Sequence, residues 1–229
     1  MHTEATRTTD RTGLRRFLGV PFRAQTYRNL AFLLLAFPLG LTYFVSVTVG
    51  LSVGAGLALT LVGVPLVLVT LLAVSYVGRF EVALTTWLLD VEMDAPAPVE
   101  PASTADLTSL DGLATAAGRL VGSATTWTSL VYVVLKFVYG VIAFTALVTA
   151  VAVIGTLLSM PVLYDTTNVV YTLGPYPVDS LEDALVGGLL GLVLTFVALH
   201  LLNGLARLGG LLADVLLAPD AATATEEND

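Results

Sequence analysis

The 229-residue chain is 56% apolar and 12% charged, against roughly 25% charged in ordinary soluble domains. It contains no cysteine, which excludes disulfides, thiolate metal sites, iron–sulfur clusters and cysteine nucleophiles. Its net charge of −8 argues against a nucleic-acid partner, which would need clustered Lys and Arg.

The acidic surplus lies in Glu92–Asp111 and in the tail Glu226-Glu227-Asn228-Asp229. Lys136 is the one lysine. An acidic, lysine-poor, Thr/Ala/Val-rich chain suits a salt-loving archaeon, whose carboxylates keep surfaces hydrated. A GC-rich bacterial genome would favour Arg over Lys in the same way.

Residues 1–13 are polar and read as a disordered cytoplasmic tail. Leu14, Phe17, Leu18 and Phe22 alternate with Arg15, Arg16 and Arg23, the pattern of a short interfacial helix that offers arginines to anionic headgroups. Tyr27 follows at the water boundary. Between Arg28 and Arg79 no residue is charged. That stretch is too long for one helix across a ~30 Å hydrocarbon core and suits two antiparallel helices. We expect spans at about Leu30–Gly50 and Leu57–Val77, bent by Pro38 and Pro65. The glycines of Gly50–Gly56 are expected to form the turn, and Gly50-x-x-x-Gly54 reads as a flexible tip in preference to a close helix approach.

Beyond Arg79, Phe80, Leu84, Trp87, Leu88 and Val91 fall at helical spacing opposite Glu81, Thr85 and Asp90, which predicts an amphipathic interfacial helix. Residues 94–102 form a Pro/Ala linker. Ser103-x-x-Asp106 offers a helix start, and Leu107, Leu110, Leu113, Ala117 and Leu120 recur at intervals of three and four. After Trp127 come a third span, about Leu130–Ile154, and a fourth, about Ala184–Ala206, the latter opened by Asp179-x-x-Glu182 as an Asp-headed capping box. Gly155–Asp183 is the sizeable outside loop. Residues 218–229 read as a disordered acidic tail.

Every Arg lies on the segments that the spans place on one side and Lys136 lies at the start of the third span, so both termini are expected in the cytoplasm. Displacing the chain by one hundred residues aligns Thr26, Leu30, Leu35, Phe37, Gly40 and Phe44 with identical residues. Displacing it by 128 aligns Arg79 with Arg207. The expected domains are therefore two parallel-repeat hairpins, 14–93 and 103–217, around an axis along the membrane normal. The fold class is an all-α integral membrane protein of four transmembrane helices with cytoplasmic interfacial helices.

Together, Thr26-Tyr27-Arg28-Asn29-Leu30, Phe37-Pro38-Leu39-Gly40, Leu61–Leu66, Arg79-Phe80-Glu81, Trp87-Leu88-Leu89, Thr126-Trp127 and Asp179–Ala184 resemble the putative sensor domain family, over roughly Phe22–Leu217. That is a four-span module often found at the head of actinobacterial and haloarchaeal histidine kinases and sometimes alone. The resemblance implies a membrane sensory input domain with no established ligand and no catalytic residues. The chain shows no phosphoacceptor-histidine helix and no Gly-rich ATP lid, so a signal would pass to a separate histidine kinase or transcriptional regulator.

No Asp or Glu falls inside an expected span, which lowers the case for proton-coupled transport. His200 is the one intramembrane histidine; it reads as a neutral group bonding across helices beside Asn203, with proton or ligand sensing as the sharper alternative. Lys136 is expected to snorkel to the cytoplasmic headgroups. In the outside loop Tyr164, Asp165, Tyr171 and Tyr176 offer recognition surfaces, although capping the bundle is the preferred role. Val162–Tyr164 and Val169–Leu173 could pair as a small hairpin around Asp165–Asn168, with Gly174–Pro177 as a turn. Tyr27, Arg28, Arg79, Trp87, Trp127 and Lys136 are the candidate interfacial or relay residues.

No serine-hydrolase set, P-loop or dinucleotide fingerprint appears. We therefore expect no enzyme, cofactor or metal. The expected partners are the bilayer, a signalling protein and further copies of the chain. The rival functions are a small transporter or channel lined by Thr42, Ser46, Thr149, Thr195 and His200, and a protein that organises lipid or partner subunits.

Overall fold

A backbone surrounded by hydrocarbon must satisfy its own hydrogen bonds, and long uncharged runs do so as helices. The computed structural model describes residues 19–58, 60, 62–93, 110–166 and 170–217. After a single 3₁₀ turn, Val20–Phe22, come α1 (Ala24–Gly56), α2 (Gly63–Leu89), α3 (Leu110–Gly122), α4 (Ala124–Leu163) and α5 (Leu181–Leu217). Four of these, α1, α2, α4 and α5, are long and apolar enough to cross a membrane. With 27 to 40 residues each, they extend ~40–60 Å, well beyond a ~30 Å core.

The excess length changes several expectations. Arg79–Val91 does not lie along the interface as a separate helix: its residues to Leu89 are the last turns of α2. The expected apolar face is also split: Leu88 is buried and Leu84 packs on the core. Glu81 and Thr85 are fully buried, while Phe80 and Trp87 are exposed. The helix packs into the bundle, so Glu81 and Thr85 turn inward and the aromatic rings face outward. Pro65 does not bend a span. It sits in the first turn of α2, where its missing N–H would have had no partner anyway. Pro38 does lie inside α1 and Pro161 inside α4.

The turn between α1 and α2 begins at Leu57, so Gly50 and Gly54 are helical. They are not a flexible tip. A methyl group on Gly50 would come within 2.3 Å of Thr70 Oγ1, and one on Gly54 within 2.6 Å of Val67 Cγ2. The small-residue spacing lets the two helices touch.

The centre of the bundle is the crossing of α1 with α4. A methyl on Gly40 would lie 2.8 Å from the Lys136 carbonyl oxygen, and one on Gly140 2.6 Å from that of Ala36. Around this point Phe37 stacks on Phe144 at 5.1 Å and Phe44 on Phe137 at 4.7 Å. Each contact is the displaced image of the other. The buried core on the Arg28 side of the crossing includes Phe32, Leu33, Leu88, Leu202 and Ala206.

The hairpin in the loop between α4 and α5 is not the expected one. Val162 and Leu163 end α4, and β1 (Thr172–Leu173) pairs antiparallel with β2 (Tyr176–Pro177). Gly174, at φ +65, makes the turn; only glycine adopts that region freely. Residues 1–18, which hold the expected tail and most of the lead-in helix, lie outside the described residues. So do the start at Ser103, the linker 94–102, Thr167–Val169 and the tail 218–229.

Candidate functional site

The expected boundary residues gather at the end of the bundle where α1 and α4 begin and α2 and α5 finish. Tyr27 Oη donates to the Pro21 carbonyl at 2.9 Å, and Trp127 Nε1 to that of Val121 at 2.8 Å. Both rings are more than half exposed. Each folds its own lead-in back against the start of its helix over the same six-residue span. Arg28 donates to the carbonyl of Trp87, and Gln25 Nε2 to that of Leu88 at 2.9 Å. The start of α1 thus satisfies carbonyls that the end of α2 leaves open. Arg79 is exposed. We refer to this end as the basic end.

At the opposite end, Tyr171 Oη lies 3.1 Å from Ser159 Oγ, and its carbonyl accepts from the Val178 N–H. Tyr164 and Tyr171 pack on Leu157, Met160, Val178 and Ala184, so these rings seal the hairpin. Tyr176 is 73% exposed, and Asp165 is exposed too. The structure does not gather the four residues into one pocket. The start of α5 is capped by Ser180, whose Oγ accepts from the Asp183 N–H at 3.1 Å and donates to its Oδ2 at 2.6 Å. The capping pair sits one residue later than Asp179 and Glu182. Among the described residues no three His, Asp or Glu side chains converge on a metal-sized site.

Lys136 does not snorkel. Its Nζ lies 2.8 Å from Glu81 Oε2, and both side chains are buried. Tyr132 Oη donates to the same oxygen at 2.8 Å. The ammonium also stands 4.6 Å from the centre of the Phe32 ring, where the ring's negative face attracts it. The Tyr43 hydroxyl of α1 is also buried, with no hydrogen-bond partner. A buried carboxylate therefore does lie inside a membrane-capable helix, contrary to expectation. The sequence hides it because Arg79 marks where the uncharged run stops but not where the helix stops. The signal that could have found it is the spacing Gly78, Glu81, Thr85, Leu88, one face of a helix whose opposite face carries Phe80 and Trp87.

Taking two charges out of water costs several kcal/mol each unless their geometry and hydrogen bonding compensate. Here compensation is incomplete. Both donors converge on Oε2, and Oε1 has no hydrogen-bond partner; nor do the buried hydroxyls of Thr85, Thr126 and Ser129. Intramembrane ionisable groups are costly, and by default they mark function.

A second polar joint links α1 to α5. Asn29 Nδ2 donates to Asn203 Oδ1 at 2.7 Å, and Gln25 Nε2 to Asn29 Oδ1 at 2.9 Å. His200 Nδ1 donates to the Phe196 carbonyl in its own helix at 2.7 Å; Asn203, expected on the same face, crosses to α1. Two polar joints thus bridge the seam between the α1–α2 hairpin and the α4–α5 hairpin: an ion pair on one side and amides on the other.

A continuous polar path does not form from the residues proposed for it. Thr42, Ser46 and Thr149 are exposed on the outer surface of the bundle, and Thr42 and Thr195 donate to carbonyls of their own helices. Between α4 and α5 runs an outward-facing groove of about 630 Å³, lined by apolar side chains with Thr145 and Thr149.

Comparison with known proteins adds one finding. A family model described as "Putative sensor" matches residues 32–217, from the aromatic ring beneath Lys136 to the last residue of α5. Neither the curated proteins nor the solved structures give a match.

Proposed function

Because the chain belongs to the Putative sensor family, we propose that it is a non-catalytic sensory input module that relays a stimulus to a separate cytoplasmic partner. The stimulus would arrive from the loop side or from within the membrane. The observation that carries this reading is the Glu81–Lys136–Tyr132 cluster across the seam between the hairpins. A purely structural seam in lipid needs only close packing of small residues. A buried charge pair with one oxygen unpartnered holds its helices in one arrangement and releases them if its partners shift.

Several features support a shift of one hairpin against the other. The glycines of the α1–α4 crossing form one narrow contact. The gripped ends of α1 and α2 make the first hairpin a unit at the basic end. The displaced images of contacts, Gly40 with Gly140 and Phe37–Phe144 with Phe137–Phe44, support two repeats, 14–93 and 103–217. The placement of Arg28, Arg79 and Arg207 toward one end supports cytoplasmic termini. A kinase or transcriptional regulator would then meet α3 and the ends of α2 and α5.

A stimulus moves such an equilibrium only by favouring one arrangement. The test places spin labels on Phe80→Cys in α2 and Val131→Cys in α4, positions about half exposed. The chain has no other cysteine. Their distance distribution in lipid should change with at least one condition in a panel of ions, lipids and osmotic pressures. One invariant distance throughout would contradict relay by hairpin movement.

A further inference from the structure

The ion-pair seam has an internal reference. Displacement by 100 and 128 residues places Thr26, Asn29 and Asn203 of the amide joint where Thr126, Ser129 and Ser75 stand beside the ion pair. In the amide joint the polar atoms satisfy one another: Asn29 bonds Asn203, Asn203 Nδ2 reaches Thr26 Oγ1 at 3.4 Å, and Thr26 Oγ1 donates to the Val20 carbonyl. In the ion-pair seam two hydroxymethyl groups replace the two amides. Ser75 turns back to the Leu71 carbonyl of its own helix, and Ser129 and Thr126 are buried with no hydrogen-bond partner.

Their surroundings are shared. Ser129 Oγ faces Gly78, 3.2 Å from where a Cβ would stand, and Glu81 follows one turn along the same face of α2. Thr126, Ser129, Tyr132 and Lys136 line the facing stripe of α4. Hydrogen-bonding capacity is therefore short by two amide groups, beside an unpartnered carboxylate oxygen.

We propose that this seam is a binding site for two or three internal waters, which bridge Ser129 and Thr126 to Glu81 Oε1. The charge balance selects the guest. Glu81 and Lys136 already neutralise each other, so a buried cation or anion would carry uncompensated charge at a cost of several kcal/mol. A water is neutral, donates to the carboxylate and accepts from the hydroxyls, and needs two to four polar partners in a buried site. Other positions of the same comparison stay dry. Phe32, Ala36 and Gly209 stand where the seam has Tyr132, Lys136 and Glu81, and Phe32 and Tyr139 fill the space over Gly209. Water in the ion-pair seam would solvate Glu81 as its contacts with Lys136 lengthen, so the hairpins could part there without stranding a bare charge.

Two measurements on the full chain in lipid test this, and neither uses a stimulus, so failure of the sensory reading would leave them unaffected. In water-edited solid-state NMR, the Ser129 and Thr126 side chains should gain water magnetisation much faster than the equally buried Leu33 and Phe32. Build-up as slow as at Leu33 would overturn the proposal. In thermal unfolding, Ser129→Ala should lower Tm by roughly 2–6 °C, because it removes a hydroxyl bonded to water. An unchanged or raised Tm would mean that the hydroxyl had no partner to lose. The double variant S75N/S129N should displace the waters with amides and unfold no lower than the parent, whereas a large fall would show that the seam has no room.

Discussion

Replacing Lys136 by methionine keeps much of its volume and leaves Glu81 as a buried charge with only Tyr132 on Oε2. We expect a loss of about 3–5 kcal/mol in stability, the usual consequence of removing one partner from a buried pair. Adding Glu81→Gln should recover most of that loss, since neither charge then remains. A double-mutant cycle on unfolding in detergent measures the coupling; additive losses would mean that the two groups do not act as a pair. Asn203→Ala should cost about 1–3 kcal/mol by stranding Asn29 Nδ2 in a partly buried joint. Neither joint could be read from sequence. Glu81 and Lys136 lie 55 positions apart, and whether a lysine near a helix end snorkels or turns inward depends on which neighbouring helix brings an anion to it. Tyr27 and Trp127 were legible as exposed rings at the starts of α1 and α4 because an aromatic ring flanking a long apolar run has few other places to go.

Among the helices, the α1–α4 crossing tolerates no side chain. Gly140→Ala would push a methyl to 2.6 Å from the Ala36 carbonyl and 2.9 Å from Phe37 Cα, backbone atoms that move only if the helices separate. The expected cost is about 1–3 kcal/mol. Gly155→Ala, in the same helix with nothing within 4 Å, is the control and should stabilise by up to about 1 kcal/mol through helix propensity. Thermal unfolding of the two variants should shift in opposite directions, whereas equal shifts would remove the crossing from the account. All four membrane-capable helices were legible because uncharged runs of this length have one stable form in lipid. Their ends were not. α2 runs on past Arg79 because its last turns find packing partners, and Gly50 and Gly54 stay helical because Thr70 and Val67 press on them. Backbone freedom in a glycine signals a turn or a contact equally well until the neighbour is known.

At the scale of the molecule, exposed Tyr27, Phe80, Trp87 and Trp127 form an aromatic band near one end, interspersed with Arg28 and Arg79. Such a band sits at the headgroups. It places Glu81 and Lys136 near one edge of the hydrocarbon, enclosed by the bundle, with the loop hairpin toward the other edge. Relay across the membrane requires this sidedness, with recognition at one end and output at the other. The most direct test labels single cysteines on intact cells with a membrane-impermeant maleimide. Tyr176→Cys, in the exposed loop, should react from outside, and Val91→Cys, just past α2, should react only after the membrane is opened. Labelling of Val91→Cys on intact cells, or protection of Tyr176→Cys, would contradict the account.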